Sequence, residues 1–211
     1  MKISNHRLSA EQATHVDSPN RGEAFAVGDL DTVIIHYTAG ASVTEAVDIL
    51  CNPGPSPVSA HLVVGREGDL TQLLPFNVIG WHAGLSSWGG REGFNRCSIG
   101  IEIVNAGQLE RRGDRFASWK GEEFGPEEVV EAVHRHQTRP RFWHRFTAAQ
   151  VGAVEELCCL LVREYGLVHI LGHEEVAPER KIDPGPAYPL ELLRSRSLAG
   201  SAWLENFGQS R

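Results

Sequence analysis

Residues 32–38, TVIIHYT, limit the possible folds more than any other part of the chain. The run is rich in β-branched residues, too short for a helix and apolar on both faces, which describes a central strand. Residues 98–104, SIGIEIV, read as a second one. Each run carries one polar side chain that an apolar strand does not need: His36 at the end of the first and Glu102 inside the second.

The rest of the chain sets these strands in an α/β pattern. Residues 44–50 suit a short helix, closed by the Pro- and Gly-rich loop CNPGPSP. Residues 59–65 and 70–76 flank the turn Arg66-Glu67-Gly68-Asp69 and read as a hairpin. Thr147 and Gln150 form the capping box of a helix whose buried stripe is Val151, Val154, Leu157, Cys158 and Leu161, and Gly166 ends it. Residues 168–172 then form a short strand that delivers His173, and residues 190–198 a closing helix. Strands alternating with helices, plus a hairpin, predict one domain with a central mixed sheet flanked by helices. Its expected span is 28–200. A polar, loosely attached arm at 1–27 precedes it, a tail at 201–211 follows, and an insertion at about 107–146 reads as an elaborated, charge-rich loop with a helix at 127–134.

Composition removes several function classes. With 41% hydrophobic residues, 211 residues suffice for a real core. The net charge of −7 argues against a nucleic-acid partner, which requires a basic face. No stretch approaches the roughly 18 apolar residues of a membrane span. Residues 1–25 contain no apolar core of a secretory signal, and the four cysteines show no CxxC spacing. The expected compartment is therefore reducing, the cytoplasm, although a phage-type enzyme released by other means has the same features.

His36, His173 and Asp183 have the ligand types of an open catalytic zinc site, two imidazoles and one carboxylate. By type and spacing alone, hydrogen-bonded structural histidines explain the first two equally well. Glu102 has to be paired, protonated or functional, because an ionised and unpaired carboxylate in an apolar strand costs several kcal/mol. It suits an acid/base that works on water beside a metal, or else a buried ion pair. Lys181, two residues before Asp183, shares its side in an extended segment and suits the stabilisation of an oxyanion. An ordinary surface lysine is the simpler explanation of that residue taken alone.

The segments VIIHYTAG, VSAHLV, GWHAGLSSWGGR, NRCSIGIEIVN and GHEEVAPERKIDPGP occur in this order across about residues 30–190. Together they resemble the zinc-dependent type 2 N-acetylmuramoyl-L-alanine amidases, relatives of phage lysozyme-type amidases and of peptidoglycan-recognition proteins. The resemblance implies Zn²⁺ on His36, His173 and Asp183, with Glu102 as catalytic acid/base and Lys181 as oxyanion stabiliser. Asp183 as third ligand resembles the bacterial branch, whereas phage and animal relatives usually carry cysteine there. The implied reaction is hydrolysis of the amide between N-acetylmuramic acid and L-alanine of a peptidoglycan stem peptide. A non-catalytic peptidoglycan-recognition module is the alternative, and Glu102 with Lys181 speaks against it.

Four further residues are candidates for substrate binding. Trp81 and His82 belong to the WHAG segment, which lines the groove in that family; Trp81 suits covering the core at least as well as stacking on a sugar. Asn95 and Arg96 suit a muropeptide carboxylate or, equally, a turn. His61, His134, His136, His144 and His169 read as structural or surface residues. WHAGLSSWGGRE and RKIDPGPAYP look most like recycling enzymes that act on 1,6-anhydro-muropeptides. HYTAG and SIGIEIVN look more like envelope relatives with broader substrates, including intact wall.

Overall fold

In a computed structural model, which describes residues 1–9 and 11–207, Thr32–Tyr37 lies inside a six-stranded sheet. The strand order is His169–Gly172, Thr32–Tyr37, Ser98–Ile103, Leu62–Val64, Leu70–Gln72 and Thr14–His15. The first four run parallel, Leu70–Gln72 returns antiparallel as the second half of the hairpin, and Thr14–His15 runs parallel to it at the edge. The sheet is mixed for the reason the sequence suggests: one tight hairpin within a series of parallel strands.

Period-two alternation sorts the side chains onto two faces. Val33 and Ile35, with Ile99, Ile101 and Ile103, pack beneath helices α2 (Ala148–Tyr165) and α4 (Leu190–Phe207) through Val154, Leu157, Leu161 and Leu193. Each such aliphatic side chain, taken fully out of water, contributes about 1.5–3 kcal/mol. On the other face, Ala46 and Leu50 of helix α1 (Val43–Leu50) cover Val63 and Leu73. Ile34 joins Ala83, Phe94 and Leu171 beside them. His36 follows Ile34 by two residues and Glu102 follows Gly100 by two, so both belong to this second face.

The capping box of α2 forms as its sequence suggests. Thr147 Oγ1 accepts the Gln150 N–H at 3.0 Å, and Gln150 Oε1 accepts the Thr147 N–H at 3.1 Å. Gln150 also donates through Nε2 to the Val104 carbonyl at 2.7 Å, which ties the helix to the end of the Glu102 strand. Gly166 ends the helix at φ 66°, a left-handed conformation that a side chain would strain.

Three sequence expectations need correction. Residues 127–134 are not helical: a single 3₁₀ turn, Pro126–Glu128, leads into the strand Val129–Ala132. The insertion is not a loop but a five-stranded antiparallel sheet, ordered Glu123–Phe124, Arg115–Ala117, Gln108–Arg112, Arg141–His144, Val129–Ala132. It has its own small core of Ala106, Leu109, Phe116, Phe124 and Val129. Thirdly, the N-terminal arm is stitched to the body. Its Leu8 and Ala13 enter the main core, and Gln72 Oε1 accepts the Leu8 N–H at 2.9 Å. Helix α4 runs past residue 198 to Phe207, and residues 208–211 of the expected tail lie outside the described residues.

Candidate metal and active site

The carboxyl ends of the parallel strands meet where His36, His173 and Asp183 come together, the usual position of sites in open α/β sheets. His36 ends its strand, and Ile35 pairs with Gly172, so His173 emerges directly beside it. His173 begins the short helix α3 (His173–Val176), and the following segment returns to place Asp183 across from both. The Glu174 N–H donates to the Asp183 carbonyl at 2.8 Å, which fixes that return. All three side chains are buried, with residue exposures of 1%, 2% and 7%.

Three atoms converge: His36 Nδ1, His173 Nδ1 and Asp183 Oδ2 lie 2.9–3.1 Å from one another. A tetrahedral cation with ligands at about 2.0–2.1 Å would hold such atoms roughly 3.3 Å apart. The His173 Nε2–H donates to the Ala83 carbonyl at 3.2 Å, so its Nδ1 presents a lone pair to the other two atoms. A buried gathering of lone pairs is repulsive by itself and favourable around a positive ion. This donor set fits a metal ion, and the three residues form a buried cluster able to bind one.

Glu102 is the register partner of His36 on the neighbouring parallel strand. Among the described residues its Oε2 is buried without a hydrogen-bond partner. Burial raises the carboxyl to about 8 in the ion-free chain; the Asp183 charge adds to the rise, and Lys181 opposes it. Burial, and then the His173 charge, lower His36 to about 4, which keeps it neutral and able to ligate. Glu102, Lys181 and the three clustered residues line one cavity of about 370 Å³ with Tyr37, Thr38 and Trp81. Helix α1 contributes a wall of it through Ala46, Ile49 and Leu50.

The four expected substrate contacts divide. Trp81 lines the cavity and donates its backbone N–H to Ser59 Oγ at 2.8 Å. His82 lines the same cavity, and its Nδ1 lies 3.1 Å from His36 Nε2. Asn95 turns inward, and its Oδ1 accepts the N–H groups of His82 at 3.1 Å and Ala83 at 2.7 Å. Arg96, exposed, lines a separate depression with Ser86, Glu92 and Val176. His61 and His144 are buried, and His134 is buried against Glu174.

Sequence reasoning missed two contributors. Arg180 lines the cavity and donates through Nη2 to the Ala83 and Leu85 carbonyls, at 2.9 and 2.6 Å. Nothing in the run PERK distinguishes it from a surface arginine. Glu174 Oε2 accepts the Gly185 N–H at 3.1 Å and takes His134 Nε2 at 2.7 Å, so the insertion braces the loop that carries Asp183. The acidic pair Glu174-Glu175 directly after His173 is the available signal.

A family model described as N-acetylmuramoyl-L-alanine amidase matches residues 27–186. The chain is 26% identical over 205 residues to the N-acetylmuramoyl-L-alanine amidase AmiD of Escherichia coli, covering 92% of this chain and 61% of AmiD. It is 31% identical over 140 residues to the 1,6-anhydro-N-acetylmuramyl-L-alanine amidase AmpD of Citrobacter freundii, covering 65% of this chain and 56% of that protein. The chain thus spans about three fifths of the length of these two relatives. The AmpD of Haemophilus influenzae is 26% identical, with 85% of this chain and 89% of that one covered. Among solved structures, an AmpD derivative superposes with TM-score 0.67 at 23% identity, covering 92% of this chain and 98% of its own, a likeness of fold. AmiD from E. coli, solved with the substrate anhydro-N-acetylmuramic acid-L-Ala-D-γ-Glu-L-Lys, gives TM-score 0.61 at 26% identity, covering 82% of this chain and 59% of AmiD.

Proposed function

Because the chain belongs to the N-acetylmuramoyl-L-alanine amidase family, we propose that it hydrolyses the amide joining the lactyl group of N-acetylmuramic acid to L-alanine. The observation that carries the proposal is the placement of Glu102. A carboxyl whose buried Oε2 has no hydrogen-bond partner among the described residues, beside three converging metal-type donors and lining a cavity, suits proton transfer.

His36, His173 and Asp183 would hold zinc, which when bound supplies the Lewis acidity that polarises a carbonyl and makes water more acidic. Glu102 as carboxylate takes a proton from the attacking water as the C–O bond forms. It then gives that proton to the departing amine of L-alanine as the C–N bond breaks. Lys181 faces the same cavity and neutralises the charge that develops on the carbonyl oxygen. Trp81 and the α1 wall offer an apolar surface for the sugar ring.

Within this reading we favour 1,6-anhydro-muropeptides as substrate. The names of the AmpD relatives and the ligand of the AmiD complex support that choice. The test is mass spectrometry of products after the zinc-loaded protein meets a 1,6-anhydro-muropeptide and, separately, purified sacculi. Free stem peptide from the small substrate alone supports a recycling enzyme, and release from sacculi as well assigns a broader wall amidase. No peptide from either sinks the hydrolase reading in favour of a binding module.

A further inference from the structure

His82 and Ala83 are adjacent, and each meets one of the two clustered histidines. Ala83 uses its carbonyl, which accepts the His173 Nε2–H. His82 uses its ring. The His82 Nε2 lies 3.3 Å from the Ser98 carbonyl, which can only accept, so His82 carries its proton there. Its Nδ1 is then a lone pair, and at 3.1 Å it accepts the proton of His36 Nε2. That leaves His36 Nδ1 without a proton, directed at His173 Nδ1 and Asp183 Oδ2.

We propose that His82 is a positioning residue: through this relay from the Ser98 carbonyl it holds His36 in the one tautomer that can ligate a cation through Nδ1. Asn95 clamps the backbone of the pair, because one Oδ1 takes both the His82 and the Ala83 N–H. Gly100 provides the room. A Cβ there would come within 2.4 Å of His82 Cγ. His61 closes the back by accepting the Gly100 N–H on its Nδ1 at 3.0 Å. The WHAG segment therefore orients the site, and His82 has its ring nitrogens committed to Ser98 and His36.

The inference rests on His36, His173 and Asp183 being the metal ligands and does not require the amidase reaction. It is tested first on the unaltered chain with its metal removed. Long-range ¹H–¹⁵N correlation should find the His36 proton on Nε2. A proton on Nδ1, or a mixture of tautomers, overturns the relay. Next, His82→Phe, which keeps ring volume but removes the acceptor, should lower zinc affinity about 10–100-fold in a chelator competition. His82→Gln, whose amide oxygen can accept the same proton, should recover most of that loss. Unchanged zinc affinity in His82→Phe overturns the proposal. So does an equal loss in both variants when their circular dichroism matches the parent, because His82 would then only fill space. If the parent chain binds no zinc, the metal-site reading falls and the relay has no purpose. If it binds zinc and His36 shows the wrong tautomer, only the relay falls.

Discussion

His36 and Glu102 are register partners on adjacent parallel strands, so their side chains leave the same face of the sheet one strand spacing apart. The backbone ladder, rather than a side-chain contact, sets how far the acid/base candidate stands from the first metal-type ligand. The separation should therefore survive changes in the Glu102 side chain. Glu102→Gln keeps the shape and removes the titrating oxygen. We expect kcat to fall about 10²–10⁴-fold while the zinc content, measured by atomic emission, stays at the parent value. A variant that loses its metal would show Glu102 to be a ligand instead.

Lys181 shares the cavity with Glu102, and its charge acts against the rise in the Glu102 carboxyl. If it meets the developing oxyanion, Lys181→Ala should lower kcat about 10²–10³-fold with little change in KM. Steady-state kinetics on an anhydro-muropeptide separate the two constants. A change confined to KM would reassign Lys181 to holding the substrate.

The sequence exposes the site framework because buried parallel strands are nearly continuous apolar runs, in which His36 and Glu102 are conspicuous. Thr147 and Gln150 were equally readable, since a capping box is local. The insertion was not. Glu110, Arg111 and Arg112 form a strand whose charged side chains face water, so no apolar alternation marks it. Val129–Ala132 becomes a strand through pairing with Arg141–His144, a non-local partner that a helix-versus-strand propensity does not contain. Asn95 and Arg96 show a further limit. They are neighbours in sequence, yet one grips the His82–Ala83 backbone and the other lines a different depression.

Glu174 joins the insertion to the ligand loop through His134 and the Gly185 N–H. Trp143 closes the same junction, since a Cβ on Gly185 would lie 2.9 Å from its ring. Glu174→Ala leaves a buried imidazole and a buried N–H without their acceptor, at a cost of about 3 kcal/mol. Urea denaturation should register that loss, together with weaker zinc binding, because Gly185 follows Asp183 by two residues. Arg135→Ala, which removes a partly exposed partner of Glu174 and Glu175, is the control and should cost no more than about 1 kcal/mol. Equal effects from the two variants would remove the special role of the buried pair.

His61 and His144 make stability depend on acid. Burial lowers His61 to about 4, and burial, helped by the Arg66 charge, lowers His144 to about 3, from an ordinary value of 6.5. Each uses Nδ1 to accept a backbone N–H, from Gly100 and Ala106, so a proton there would face another proton. The unfolded chain binds these protons from about pH 6.5 downward, whereas the folded chain resists until about pH 4 and pH 3. Their stabilising contribution is thus complete above pH 6.5 and declines as pH falls toward those values. The slope is at most about 1.4 kcal/mol per pH unit for each histidine. Urea midpoints measured from pH 7.5 to about 4 should fall steadily, and His144→Gln should flatten part of the decline. It removes one of the buried histidines, with His36, His61 and His82, that resist protonation in the folded chain. A decline of the same slope in that variant would assign the acid sensitivity to other groups.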